Sequence, residues 1–85
     1  MHVNRIWDNG GRSFDRYTVE FEEQGGAKWY LGIGDTGNVP NGFCMVVDAT
    51  PGPHLGKLIR EDQMTLAAQK AIDNEFELVK AFYYE

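Results

Sequence analysis

The distribution of glycine constrains this chain more than any other feature of its sequence. All ten glycines lie between Gly10 and Gly56, and residues 57–85 contain none. Glycine destabilises the interior of a helix and is common in tight turns, because it has the greatest backbone freedom. The sequence therefore predicts short strands and turns in the first part of the chain and a helix in the last. With 85 residues, we expect a single domain with strands and loops in 1–60 and a C-terminal helix in 61–85.

A β-hairpin is the best-defined local feature of the first part. Two runs alternate between apolar and polar residues, and their apolar members are Tyr17, Val19, Phe21, Trp29, Leu31 and Ile33. Directly opposed residues share one face of a sheet. A three-residue loop pairs Phe21 with Trp29 and keeps the apolar side chains of both strands on one face of the sheet. A two-residue loop would place Glu22 opposite Trp29 and mix the two faces. We therefore predict the three-residue loop, with Gly26 as its left-handed residue.

Weaker patterns predict further strands on either side of this hairpin. Residues 3–7 are predicted to form a first strand that ends in a turn of Asp, Asn and Gly. Residues 43–47 are apolar throughout, which is typical of a strand covered on both faces. Residues 57–60 are expected to add a short edge strand, and the segments 34–42 and 49–56 are expected to be irregular loops.

The last part of the chain has the apolar spacing of an amphipathic helix. The apolar stripe consists of Met64, Ala68, Ile72, Phe76, Val79 and Tyr83, and Ala67, Ala71, Leu78 and Phe82 are expected to widen it. Either Asp62 or Thr65 can cap its N-terminus. Because the helix and the sheet each have an apolar face that must be buried, we predict an α+β fold. In this fold a four- or five-stranded antiparallel sheet has the C-terminal helix packed on one face.

Charge and composition limit the classes of function. The net charge is −5, which argues against direct binding to nucleic acid. No apolar run is long enough to span a membrane, and the first residues do not resemble a secretory signal. The single cysteine, Cys44, cannot form an internal disulfide and fits a reducing compartment. We therefore expect a cytoplasmic protein.

Candidate catalytic motifs are weak, and we predict a protein that is not an enzyme. Asp35-Thr36-Gly37 is the tripeptide of aspartic proteases, which would require two chains to meet, and a dimeric protease is the remote alternative. Here the tripeptide is followed by Asn38 instead of the Ala or Ser of those enzymes, and all four residues are common in turns. Cys44 lies in an apolar run, so a core position is favoured over a nucleophile paired with His54.

No metal or cofactor site is expected. The two histidines, His2 and His54, are far apart in sequence, and the one cysteine is near neither of them. Asp8-Asn9-Gly10 resembles the opening of a calcium loop, but the later acidic ligands of that pattern are missing. A hairpin turn is the favoured interpretation of these residues.

Four segments carry a resemblance to a known group of proteins. They are Trp7-Asp8-Asn9-Gly10-Gly11, Asp15-Arg16-Tyr17-Thr18-Val19, Pro40-Asn41-Gly42-Phe43 and His54-Leu55-Gly56-Lys57. The chain resembles a family of small uncharacterised proteins carried by bacteriophages, plasmids and bacterial genomes. In this family a Tyr-Asp-Asn-Gly-Gly opening precedes an Asp-Arg-Tyr-Thr-Val strand. The resemblance implies a genetic context, with a bacterial host cell as the location, but no activity.

The shared N-terminal motif has a structural and a functional interpretation. Asp8 and Asn9 can accept backbone hydrogen bonds in a tight turn. Asp15 and Arg16, at the start of the next strand, can pair with each other's neighbours and fix that turn. The structural interpretation is favoured. In the functional one, this turn and the loop at 34–42 form a rim that grips a ligand.

Acidic residues suggest a protein partner. Glu20, Glu22 and Glu23 are expected on or beside one strand face, and Asp73 and Glu77 on the polar side of the helix. Carboxylates placed in this way can imitate phosphates and engage a nucleic-acid-binding host protein. An inhibitor of a bacterial defence complex, such as an anti-CRISPR protein, fits this pattern. Two alternatives remain open: faces that only keep the domain soluble, and a homodimeric accessory protein that pairs through an edge strand.

Overall fold

The computed structural model describes residues 2–22, 26, 28–39, 43–45 and 52–83, with the backbone alone for 43–45, 79, 80, 82 and 83. These residues form a five-stranded antiparallel sheet in the order β4-β3-β2-β1-β5. The strands are β1 His2–Asp8, β2 Tyr17–Glu22, β3 Lys28–Ile33, β4 Phe43–Met45 and β5 Lys57–Ile59, and one α-helix, α1 Leu66–Tyr83, follows them. Two short 3-10 helices, Pro53–Leu55 and Glu61–Gln63, flank β5. The predicted α+β architecture is confirmed.

The predicted register of the hairpin is confirmed. β2 and β3 pair with Phe21 opposite Trp29 and with Glu20 opposite Tyr30. Gly26 has a φ of 85°, the left-handed conformation that the hairpin loop was expected to require. The predicted loop length depends on residues 23–25 and 27, which lie outside the described part of the chain.

The outer strands complete the sheet on both sides of this hairpin. β1 pairs with β2, with an irregularity between Val3 and Arg5, and β5 pairs with β1. The predicted edge strand at 57–60 is therefore confirmed as β5. β4 pairs with β3 and forms the opposite edge. The prediction that 43–47 is covered on both faces concerns side chains outside the described part of the chain.

Thr65 is the residue that caps α1. Its hydroxyl accepts a hydrogen bond from the Ala68 amide at 3.2 Å, as expected of an N-cap side chain. Asp62, the alternative cap, lies in the preceding 3-10 helix, where its carboxylate accepts a hydrogen bond from Arg60. Of the two predicted capping residues, the fold uses Thr65.

The core lies between α1 and one face of the sheet. Its fully or nearly buried members are Ile6, Tyr17, Val19, Phe21, Leu31, Ile33, Met64, Ala68, Ala71 and Ile72. Phe76 is partly buried, and its ring centre lies 4.9 Å from that of Phe21. The expectation that Ala67 and Leu78 widen the buried stripe is wrong, since both are exposed. They lie roughly 80–100° around the helix from Ala68, the centre of the stripe, where the sheet no longer covers the helix.

Candidate functional site

The β1–β2 loop, residues 9–16, is held in shape by the side chain of Asn9. Its Oδ1 accepts hydrogen bonds from the amides of Gly11 and Arg12 at 2.8 and 3.1 Å. Its Nδ2 donates to the Ser13 hydroxyl and to the Asp15 carbonyl, both at 2.7 Å. Short polar side chains that bond to nearby backbone groups in this way stabilise turns. One amide thus ties the two ends of the loop together.

The base of the β1–β2 loop is braced by an ion pair. The Arg16 guanidinium lies 3.2 Å from the Asp8 carboxylate and also covers the Tyr17 ring at 5.0 Å. Partial burial opposes ionisation of Asp8. Hydrogen bonds from Arg16 and the Gly10 amide outweigh it, so the pKa of Asp8 lies below its usual value. The charge of Arg16 is therefore largely balanced by Asp8, the last residue of β1.

Residues 34–38 form a second turn, the 34–38 turn, beside the start of α1. The Gly34 amide donates to the Asn38 carbonyl at 2.8 Å, and the Gly37 amide donates to the Gly34 carbonyl at 3.0 Å. The Thr65 hydroxyl donates to the Asp35 carbonyl at 2.6 Å, which attaches the turn to the helix cap. The Asp35-Thr36-Gly37 tripeptide therefore has a structural role at this position, as its turn-forming composition indicates.

The two segments meet in a groove, which we call the loop groove. Its volume is about 280 Å³. It is lined by Gly11, Ser13, Phe14 and Arg16 from the β1–β2 loop and by Asp35, Thr36 and Asn38 from the 34–38 turn. The structure thus brings together the two segments that the sequence suggested as one rim, and ligand binding there stays a prediction.

Some of the predicted rim residues line this groove, and others hold the segments that form it. Arg16 lines the groove. Asp8 and Asn9 hold the β1–β2 loop through hydrogen bonds to its backbone and, for Asp8, through the ion pair with Arg16. Asp15 lies against β3, because a Cβ added at Gly32 would stand 2.6 Å from its Oδ2.

Phe14 is the groove residue that sequence reasoning missed. Its side chain is 70% exposed, the second most exposed of the large hydrophobic residues among the described positions. It follows Ser13 and precedes Asp15 in a loop that is otherwise polar or glycine. A lone aromatic residue in such a loop was the available signal, but its exposure depends on how the loop is folded.

Glu20 corrects the prediction of an acidic strand face. Its side chain was expected to be exposed on β2, but the residue is 1% exposed. Its carboxylate accepts hydrogen bonds from Arg5 on β1 and from the Tyr30 hydroxyl on β3, the latter at 3.1 Å. Burial opposes its ionisation, but the bonds from Arg5 and Tyr30 outweigh burial, so the pKa of Glu20 is lowered. This carboxylate is therefore not available to a partner.

The remaining acidic candidates do not form one surface. Glu22 is partly exposed opposite Lys28, and it lies on the sheet face turned away from α1, since its neighbour Phe21 faces the core. Asp73 and Glu77 are exposed on α1, on the other side of the sheet. Glu23 lies outside the described residues. A flat partner surface cannot contact both sides at once.

Other kinds of site find little support in the described part of the chain. No three His, Cys, Asp or Glu residues among the described positions are grouped to hold a metal ion. His54 is exposed in the first 3-10 helix, and the side chain of Cys44 is outside the described atoms. Where the structure describes the chain, no helix is long and apolar enough to cross a membrane.

Comparison with protein-family models, curated proteins and solved structures finds no match to this chain.

Proposed function

We propose that this protein acts by binding another protein through the loop groove, with Phe14 as its apolar anchor. The observation that carries the proposal is the 70% exposure of Phe14 at the rim of a groove of about 280 Å³. Exposing an aromatic ring to water is unfavourable, and burying one at an interface supplies much of the binding energy. Ser13, Thr36 and Asn38 line the same groove, and their polar groups can orient a partner.

The hydrogen bonds of the surrounding segments support this proposal. The hydrogen bonds of Asn9 hold the β1–β2 loop, and Thr65 holds the 34–38 turn. Binding costs less when the contact residues are ordered beforehand, because less conformational entropy is lost. A hydrogen-bonded loop that carries one exposed aromatic residue is therefore suited to binding.

The charge of the chain favours a basic partner. The net charge is −5, Asp35 is exposed in the groove wall, and the charge of Arg16 is balanced by Asp8. A basic surface of a nucleic-acid-binding host complex is the corresponding partner class. Together with the resemblance to proteins of bacteriophages and plasmids, this favours an anti-defence inhibitor of the anti-CRISPR kind. Asp73 and Glu77 would add long-range attraction to this partner, and Glu20 would not.

A homodimeric accessory protein is the second candidate. β5 forms an edge of the sheet, and Leu58 on it is 61% exposed. An edge strand with unpaired backbone groups can pair with a second copy of the same chain. β5 has only three residues, so the number of bonds that it can offer is small.

Affinity capture from a bacterial lysate tests the first candidate against the second. The wild type, Phe14→Ala and Leu78→Ala are compared at low and at high salt. Leu78 is also exposed, at 50%, but it lies on α1 away from the loop groove, so it is the matched control. We expect a basic protein that the wild type and Leu78→Ala retain and that Phe14→Ala loses. High salt should weaken its capture.

Two outcomes would contradict the proposal. Equal capture by Phe14→Ala and by the wild type would show that the groove is not the contact surface. No captured protein at either salt concentration, together with a dimer in light scattering, would favour pairing through β5.

A further inference from the structure

Asn9 and Gly10 form an Asn-Gly dipeptide at the start of the β1–β2 loop. This dipeptide is chemically labile in a flexible chain, because glycine leaves its own backbone nitrogen accessible to the preceding side chain. The Gly10 nitrogen attacks Cγ of Asn9, the bond between Cγ and Nδ2 breaks, and ammonia leaves with the proton of the Gly10 amide. Water then opens the resulting succinimide ring to aspartate or isoaspartate.

The folded loop opposes each part of this reaction. The Gly10 amide donates a hydrogen bond to Asp8 Oδ1 at 2.8 Å, and an adjacent carboxylate disfavours loss of the amide proton. The leaving nitrogen, Nδ2 of Asn9, is held at 2.7 Å by both Ser13 and Asp15. Ring closure requires these bonds to break before the new bond can form.

The orientation of the Asn9 amide follows from its partners. The amides of Gly11 and Arg12 can only donate, so they face Oδ1. The Asp15 carbonyl can only accept, so it faces Nδ2. An aspartate at this position could still accept the two bonds from Gly11 and Arg12, but it could not donate to the Asp15 carbonyl.

We propose that Asn9-Gly10 is a deamidation site that the folded β1–β2 loop protects, so that modification occurs in molecules whose loop has opened. Conversion places a carboxylate oxygen against the Asp15 carbonyl, and two acceptors facing each other repel. The modified loop then cannot close again in the same shape. A transient opening of the loop therefore leaves a permanent deamidated residue in the loop that carries Phe14.

The protection is tested by following deamidation of the full chain in native buffer and in urea at the same pH and temperature. The tryptic peptide that contains Asn9, residues 6–12, is analysed by mass spectrometry, which separates it from the second Asn-Gly dipeptide at Asn41-Gly42. We expect deamidation of Asn9 to be at least about tenfold slower in the folded protein, because only the open fraction reacts. This measurement does not depend on the proposed partner.

Variants separate the loop contacts from general stability. Asp8→Ala removes the acceptor of the Gly10 amide, and Ser13→Ala removes one acceptor of Nδ2 while leaving the ion pair in place. Each should raise the rate in native buffer by more than it does in urea, where the loop contacts are already lost. Thr36→Ala, across the loop groove, is the control and should leave the rate unchanged.

Equal rates for the folded and the unfolded wild type would overturn the proposal. It would also be overturned if Ser13→Ala, with unchanged unfolding, deamidated no faster than Thr36→Ala. Loss of partner capture by Phe14→Ala with no protection of Asn9 would reject this inference alone and leave the proposed function intact.

Discussion

The Tyr17 hydroxyl accepts a hydrogen bond from the backbone amide of Thr65 at 3.3 Å. The first residue of β2 is thereby connected to the residue that precedes α1. The same threonine also caps the helix and holds the Asp35 carbonyl. Three parts of the fold, the sheet, the helix and the 34–38 turn, therefore meet at Thr65.

Thr65→Ala should destabilise the protein by about 0.5–2 kcal/mol, because the helix loses its N-cap side chain. Asp62→Ala is the control, since Asp62 is the alternative predicted cap and its ion pair with Arg60 is exposed. We expect its effect to stay within about 0.5 kcal/mol. Denaturant unfolding of both variants checks the prediction, and equal losses would show that Thr65 does not act as the cap.

Glu20→Gln should destabilise the protein by about 1–3 kcal/mol at neutral pH, because it removes the charge that Arg5 and Tyr30 bind. The pKa of Glu20 is lowered in the fold, so its stabilising contribution is complete above the unfolded value of about 4.3. It is lost as the pH falls through the unfolded and then the folded pKa.

The pH dependence of unfolding checks the sign of this effect. The wild type should lose stability below about pH 5, and Glu20→Gln should lose less over the same interval. Part of the slope should remain in the variant, because the pKa of Asp8 is lowered as well. Identical slopes for the two proteins would contradict the paired state of Glu20.

Phe76→Ala tests the contact between α1 and the sheet. Its ring lies 4.9 Å from that of Phe21, but the residue is only partly buried. We therefore expect a loss of about 3 kcal/mol, at the lower end of the range for buried phenylalanine. Leu78→Ala, on an exposed part of the same helix, should change stability by no more than about 0.5 kcal/mol. A midpoint shift within error for Phe76→Ala would show that its contact with Phe21 contributes little.

Gly37→Ala and Gly11→Ala form a matched pair of substitutions. Both glycines have a positive φ, of 84° and 86°, so both variants should lose about 1–2 kcal/mol to backbone strain. A Cβ at Gly37 would also stand 2.7 Å from the Ala67 carbonyl oxygen, whereas one at Gly11 meets open space. Thermal unfolding should therefore show the larger loss for Gly37→Ala. Equal losses would show that the 34–38 turn does not press against α1.

The register of the hairpin and the buried stripe of the helix could be predicted from the sequence because both depend on local periodicity. The alternation of Tyr17, Val19 and Phe21 allows one pairing with β3 that keeps apolar residues together. Met64, Ala68 and Ile72 recur at helical spacing and are buried as expected. The edges of the stripe could not be predicted in this way, because the width of the sheet decides whether Ala67 and Leu78 are covered, and both are exposed.

The sequence by itself determined the elements of this protein, and the tertiary structure decided which polar groups face water. Alternation places Glu20 and its neighbour Phe21 on different faces of the sheet. The burial of Glu20, however, depends on Arg5 and Tyr30 in the two neighbouring strands. The loop groove likewise joins segments that are distant in sequence, and Phe14 is exposed there because Asn9 holds the loop in one shape. Periodicity describes how each residue lies within its own element. Contacts between elements set burial and charge pairing, and these arise only when the chain is folded.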